Sequence, residues 1–413
     1  MRTKRTTPQN NRKSAVIIGG GIAGLSAARV VAKHFDEVTL IDRDHLPDEP
    51  AFRSGIPQAM HAHTLLPYGQ LMLDKLFPGL VDHLIANGAQ TIDDGRDTAT
   101  YEAGLMRSTH AKSSRPTVSC SRPMLEGALY NEIAAYANVK VLQGYEVVGL
   151  IMDEANSSVT GLTIRNRQAA GDGLQQFSAD LVIDASGRNS KAPQWLAHLG
   201  YVPPEEWRIN AYAGYASRIY RQPENDQRNW KKLHIIPSPP DEPRGGVILP
   251  LEGGRWHVTL MGVAGDYPPT DEEGFLAFAR SLSSPELYDA IRLAEPLSKI
   301  AGYRKNENRV RRFENLPRYL EGLLVLGDAA YTMNPVYALG MTAAFVSSQV
   351  LEQVIEKASV TSGASALSAV FQKKLAASMS NLWQLAVRSD WRWPATEISD
   401  NTEELYLQSL SVA

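Results

Sequence analysis

The chain is nearly without cysteine. Cys120 is the only thiol in 413 residues, so no disulfide framework, Cys-x-x-Cys pair or thiolate metal cluster can be built. A single thiol suits a reducing cytoplasm. Excess charge is also missing. The 42 Lys and Arg stand against 45 Asp and Glu, a net charge of -3, which argues against nucleic acid as a partner. No run of 18 apolar residues occurs, so no transmembrane helix is expected; peripheral membrane contact stays open. The first 13 residues, MRTKRTTPQNNRK, lack the apolar stretch of a signal peptide and read as a disordered basic tail. There is no internal repeat, no low-complexity segment and no metal-ligand spacing of His, Asp or Glu. The remaining composition is ordinary, 43% hydrophobic and 21% charged, at a length that allows two or three domains.

What is present starts with an apolar run, 15–18, leading into Gly19-x-Gly21-x-x-Gly24. A small-residue helical pattern follows, then a second apolar run, 38–41, ending in Asp42. Strand, glycine turn, helix, strand and terminal acid together form a dinucleotide fingerprint. Gly19 permits the tight turn, Gly21 lets backbone approach a pyrophosphate, and Gly24 lets the helix pack closely. The helix start offers free N–H groups to phosphate. Asp42 is spaced to take ribose hydroxyls.

Beyond this unit the texture changes. Helical patterning at 68–76 and 81–86 gives way to a weakly patterned stretch, 88–116. Arg122-Pro-x-x-Leu125-x-x-x-Leu129 opens a helix to about 136. Short apolar runs at 139–142, 146–152, 159–164 and 181–183 read as strands. From 201 to 312 prolines cluster and strands alternate, as at 211–220, 246–251 and 256–261, which predicts a largely antiparallel sheet. Nucleotide-domain texture returns at Leu323-Leu-Val-Leu-Gly327-Asp328, and the last 75 residues are mostly helical. The expected class is α/β with an α+β insert. A composite dinucleotide-binding domain takes 14–88, 110–200 and 314–360. A substrate domain takes 89–109 and 201–313, and a helical region 361–413.

The second motif is Gly327-Asp328-Ala329-Ala330, then Asn334-Pro335 and Gly340-Met341-Thr342 at a helix start. A carboxylate after a buried strand can accept from ribityl-type hydroxyls, and the helix aims its positive end at what lies before it. The two ends together resemble the FAD-dependent monooxygenases of the para-hydroxybenzoate hydroxylase type. Arg122 with Leu125 and Leu129 is similar to the family helix whose arginine touches the FAD phosphates. Arg53-x-Gly55 is similar to the loop where arginines meet flavin and nicotinamide. Asp184-Ala-Ser-Gly187-Arg188 stands where the family carries Asp-Gly. Within the family the chain looks most like the bacterial squalene-epoxidase-like branch, which includes polyketide epoxidases and flavoproteins that have become cyclases. The stretches Gly55-Ile-Pro-Gln58-x-x-His61-x-His63 and Asn334-Pro-Val-Tyr337 carry that likeness. Two departures stand out. Asp184-Ala-Ser-Gly-Arg replaces the core that handles NADPH, and Ala338-Leu339-Gly340 replaces Gly-x-Gly, which predicts a narrowed loop beside the ring. The end at Ala413 is short for the branch, so a helical cap is expected to be absent.

The resemblance implies FAD as cofactor, NAD(P)H as electron donor and a lipophilic polyene or aromatic substrate, epoxidised or hydroxylated through a flavin hydroperoxide. Gly19, Gly21 and Gly24 would bind pyrophosphate, Asp42 the adenosine ribose, and Arg43 would flank the adenine. Arg53 and Arg122 would grip phosphates or nicotinamide, and Asp328 the ribityl–phosphate arm. Pro335 with Gly340, Met341 and Thr342 would frame the ring. The hard chemistry is the cofactor's, so no catalytic side chain is assigned. With one Gly-x-Gly-x-x-Gly, the nicotinamide has no βαβ site of its own; a separate reductase is the alternative. Two non-oxygenating readings stay open, an FAD-containing cyclase and a carbon–carbon double-bond reductase. His61 and His63 read as packing rather than metal ligands. Arg304, Lys305, Arg309, Arg311 and Arg312 read as a solvated strand face. Trp391-x-Trp393-Pro394 is similar to part of a flavin-halogenase signature, but it stands near the C-terminus and no lysine occurs between His34 and Asp74. Packing of the terminal helices is the expected role.

Overall fold

The computed structural model describes residues 13–45, 51–53, 55–107, 115–168, 173–360 and 366–399. The basic tail before Lys13, residues 47–50, and residues 361–365 and 400–413 of the C-terminal region lie outside the described residues. In chain order the elements that build the site are β1 (Ser14–Ile18), α1 (Ile22–Val31), β2 (Glu37–Asp42), α2 (Pro67–Leu76), β3 (Thr98–Glu102), α3 (Arg122–Ala134), β4 (Val139–Gln143) and β5 (Leu181–Asp184). There follow β6 (Glu206–Arg221), β7 (Lys232–Ile236), β8 (Arg244–Leu251), β9 (Arg255–Gly262), α4 (Glu272–Arg280), α5 (Glu286–Ile291), β10 (Ala301–Arg311), β11 (Leu323–Val325), α6 (Gly340–Val360) and α7 (Leu367–Trp391).

The first sheet is wholly parallel, in the order β11-β5-β1-β2-β4. Its central strand, β1, is nearly all apolar and buried, as a parallel strand covered on both faces must be. Helices α1 and α6 pack against each other and share one core with the sheet. Helix α3 starts where Ser121 Oγ accepts from the Met124 N–H at 3.3 Å, with Pro123 in its first turn. This is the Rossmann-like α/β class expected from the fingerprint.

The second sheet runs Tyr331–Thr332, β10, β6, β9, β8, β7, β3 and Leu105–Arg107, with Glu397–Ile398 added to β6. It is antiparallel except for the β7–β3 pairing. Strand β6 is longer than the 211–220 that its alternation marks, because it pairs with β9 over 214–221 and with β10 over 206–217. The period of two sorts its side chains. Ile248, Trp256, Val258 and Leu260 face Phe275, Phe278 and Leu287 of α4 and α5. Tyr215, Val247, Leu249 and Met261 cluster on the opposite face with Ala62, Tyr303 and Val336. No helix among the described residues is long and apolar enough to cross a membrane.

Candidate active site

The fingerprint glycines differ in why they are glycine. Gly19 has φ +101°, and a Cβ there would lie 2.6 Å from the Ala185 carbonyl oxygen. A Cβ on Gly24 would lie 1.7 Å from the Gly19 oxygen. Both are dictated by the chain's own backbone. Gly21 is not: a Cβ there meets only Ile56 Cδ1, at 3.8 Å. It caps α1 in extended geometry, so the space before the helix start is kept clear by a residue that packing alone does not require.

Beside this space Asp42 is buried at the end of β2. Its Oδ2 accepts from the Gly20 N–H at 2.5 Å and its Oδ1 from the Asp44 N–H at 2.7 Å. Arg53 donates to the Gly20 oxygen at 2.6 Å, to Asp42 at 3.3 Å and to Glu126 at 3.2 Å. Arg122 donates to the other Glu126 oxygen at 2.6 Å. Glu126 thus ties the arginine of the 51–56 segment to that of α3. Arg43 is exposed, and its carbonyl accepts from Arg167.

Asp328 follows β11 on a tight turn where Gly327 takes φ +61° against Ala23 of α1. Burial pushes its carboxyl above the usual range, opposed by Arg188, Arg122 and Arg309. Three arginine charges thus oppose the cost of burying this carboxylate. The basic run of β10 is therefore not a solvated face. Arg311 is buried and donates to Glu206, Ala329 and Arg188 oxygens. Arg309 donates to the Arg188 carbonyl at 2.5 Å, and burial with Arg311 nearby pushes its pKa down. Strand alternation turns these two inward, and Arg304 stands exposed over the ring of Tyr267. Asp184 uses both oxygens locally, accepting from the Ser186 N–H at 2.9 Å and Ser190 Oγ at 2.5 Å.

The loop before α6 carries a second clear space: no atom lies within 4 Å of a Cβ built on Gly340. Ala338 sits at φ +55°, a left-handed conformation that costs a non-glycine residue about 1–2 kcal/mol. Leu339 does not narrow the loop. Its side chain is turned into the core of the nucleotide half, 1% exposed, because the left-handed residue before it reverses the chain direction. Met341 and Thr342 are buried, and Thr342 Oγ1 packs against Gly69 of α2, where a methyl would lie 2.5 Å away. Pro335 is half-buried in the turn that precedes them. Met341 and Arg122 meet across a small crevice also lined by His63, Leu65 and Cys120. Burial pushes the Cys120 thiol up to about 12.

The sheet meets the segment 57–63 on its odd-numbered face. His61 Nδ1 lies 2.8 Å from Ser217 Oγ, which lies 2.7 Å from Thr259 Oγ1; Thr259 in turn accepts from the Ala62 N–H at 3.0 Å. The His61 ring leans on Tyr215 and Tyr303, with centroids 5.8 and 5.5 Å away. Burial, with His257 beside it, lowers the His61 pKa to about 4. His63 donates from Nδ1 to the His61 carbonyl at 2.7 Å, which fixes its tautomer and leaves Nε2 as an acceptor. Trp393 packs on Ala211, Ala213 and Val263 of this sheet. A groove of about 460 Å³ opens on the other side of α3 between Phe52, Tyr130, Ile219 and Arg255. Of the α3 start, Ser121, Pro123 and Met124 line it.

A family model for an FAD binding domain matches residues 12–357. The protein Rv3254 of Mycobacterium tuberculosis (strain ATCC 25618 / H37Rv) is 32% identical over 347 residues, 81% of this chain and 71% of the relative. Kynurenine 3-monooxygenase of Anopheles gambiae is 23% identical over 381 residues, 86% and 70% of the two chains. This chain belongs to the FAD-dependent monooxygenases of the para-hydroxybenzoate hydroxylase type. Among solved structures, the flavin-dependent brominase Bmp2 superposes with a TM-score of 0.65 at 17% identity, over 92% of this chain and 89% of its own. At that identity the likeness is one of fold.

FAD fits the residues of this monooxygenase. Gly21 and Gly340 each leave clear a space that a side chain would fill, and Asp328 offers a carboxylate with arginines around it. Sequence reasoning missed Glu126 and Asp390, and it quoted Arg188 in the Asp184 motif without assigning it a role. Glu126 was detectable, since it stands four residues after Arg122 on one helix. The partners of Arg188 carry no local signal, because they come from β10, more than a hundred residues on.

Proposed function

We propose that this monooxygenase epoxidises or hydroxylates a lipophilic polyene or aromatic natural-product intermediate. The observation that carries the reading is the sheet face toward 57–63. Tyr215, Val247, Leu249 and Met261 form a buried apolar cluster there, with Tyr303 and Val336 packed against it. A flat apolar substrate gains by leaving water there, at about 25 cal/mol per Å² buried. His61, held neutral by burial, is the polar group at its edge.

In this reading Gly19, Gly21 and Gly24 carry the FAD pyrophosphate, Asp42 the ribose, and Arg43 the adenine side. Arg53 and Arg122 exchange their Glu126 contacts for phosphate or nicotinamide. Asp328 accepts from the ribityl arm, and Pro335 with Gly340, Met341 and Thr342 frames the ring. Reduced FAD supplies activated oxygen to an alkene or electron-rich arene. The chain's part is to orient the substrate on the sheet face and to exclude water. Dependence on NAD(P)H is general for the family. Because Asp184 spends its oxygens on its own turn, we place NAD(P)H as a transient visitor, with a separate reductase as the competing source. A reducing cytoplasm suits the single, half-buried thiol.

The test is the visible spectrum of the purified holoprotein, kept anaerobic, before and after NADPH, followed by oxygen uptake with polyene and polycyclic aromatic substrates. Bleaching and substrate-stimulated uptake are expected. Bleaching without uptake would indicate the double-bond reductase. Conversion without bleaching or uptake would indicate the cyclase, and either outcome overturns the reading.

A further inference from the structure

Helix α7 lies beyond the residues matched by the family model, 12–357. It nonetheless delivers a carboxylate into the loop that precedes α6. Asp390 is fully buried. Asn308 Nδ2 of β10 donates to it at 2.6 Å, Asn334 Nδ2 at 3.0 Å and Tyr337 Oη at 2.5 Å. The two amides have no freedom to turn. Asn308 Oδ1 accepts the Asn334 N–H at 2.7 Å, and Asn334 Oδ1 accepts the Val336 N–H at 3.2 Å. Both must therefore point NH₂ at Asp390, so both carboxyl oxygens act as acceptors, and a proton on Asp390 has a place only on Oδ1, against Tyr337. No arginine or lysine is among these partners. Neutral donors alone hold the group, and burial raises its pKa to about 7.

The clamped segment is short and has three duties. Asn334 and Tyr337 hang on Asp390. Val336, between them, packs on the sheet face with Tyr215 and Met261. Ala338, next in line, is held left-handed without the help of glycine. A strained residue persists only where its surroundings over-determine it, and the Asp390 bonds on Asn334 and Tyr337 supply that restraint from outside the family core.

We infer that Asp390 is a positioning residue of the flavin-facing loop: through Asn334 and Tyr337 it sets where the 335–340 segment stands between ring and substrate. The inference rests on the proposed placement of the ring beside Gly340. It is tested on the holoprotein by the FAD dissociation constant, the visible absorption envelope and the reduction midpoint of three variants. Asp390→Asn puts an NH₂ against donors that need an acceptor; we expect FAD affinity to fall at least tenfold, with a changed envelope and midpoint. Tyr337→Phe removes one hydroxyl from the same clamp and is expected to move all three in the same direction by less. It keeps the test decisive if Asp390→Asn does not fold. Gly340→Val fills the space before α6. If it perturbs the flavin while Tyr337→Phe and any folded Asp390→Asn leave spectrum, midpoint and affinity unchanged, the clamp is overturned. If Gly340→Val also leaves the flavin untouched, the ring placement fails and the inference with it.

Discussion

The two halves of the molecule differ in which groups burial shifts most, carboxyls in one and imidazoles in the other. The nucleotide half buries acids. Asp184 and Asp328 are both pushed above the usual carboxylate range by burial, and Asp328 sits among arginines. The sheet half and the segment lying on it bury bases. Burial lowers His61, His234 and His257 to about 4, and burial with Arg122 nearby lowers His63 well below its usual value. The first half is built to meet an anionic cofactor, and cations surround its carboxylate. The second keeps imidazoles neutral around an apolar face. The halves also differ in how their sites are written. The cofactor end gathers neighbours in sequence around helix starts, whereas the sheet face draws single residues from four strands and a distant loop.

The largest effect expected is at Gly21. Gly21→Val fills space that only a ligand uses, so FAD retention should be lost while the sheet half stays folded. Flavin absorbance of the purified protein, with circular dichroism, decides it; full occupancy would break the assignment of this space to the cofactor. Acid comes next and should strike the sheet half. Each buried histidine has a folded pKa below its unfolded value of about 6.5. Its neutral form therefore costs nothing above pH 6.5, and stability is lost as pH falls from there through the folded value. For His61 and His257 this is on the order of 3 kcal/mol each by pH 4. Denaturant midpoints between pH 7 and 4.5 should fall steeply, and His61→Gln or His257→Gln should flatten the slope. An unchanged slope in both would erase the contrast between the halves.

A smaller change is expected from Asp328→Asn, which should weaken FAD about tenfold, since a charge-assisted bond contributes roughly 1.5–3 kcal/mol. Fluorescence titration of the apoprotein with FAD measures it, and unaltered affinity would remove Asp328 from the cofactor half. The smallest is Ala338→Gly. Relief of the left-handed strain, less the extra chain entropy of glycine, should raise stability by up to about 1 kcal/mol. A drop in the thermal midpoint would show that the loop is not strained as its φ of +55° implies.

Much of this was legible because it is local. The fingerprint, the Arg122 helix and the Gly327-Asp328 turn are short patterns whose backbone demands can be read from glycine spacing and apolar runs. The halves of the antiparallel sheet could be foreseen from alternation of period two. The inward turn of Arg309 and Arg311 could not, because it depends on which face of β10 meets Arg188 and Glu206. The same holds for Leu339, whose direction is set by the conformation of Ala338, and for Asp390, which reaches Asn308 and Asn334 across 82 and 56 residues of chain.

By itself the sequence determined that this protein belongs with FAD-binding monooxygenases, and it marked the glycine turn and the second helix start as the places proposed for the cofactor, for both are made of backbone that neighbouring residues control. Only the tertiary structure decided which carboxylate holds Asn334 and Tyr337 before α6, which arginines turn inward from β10, and which side chains form the apolar face. Each of these is a meeting of residues far apart in the chain, and long-range packing, not local propensity, sets where they meet.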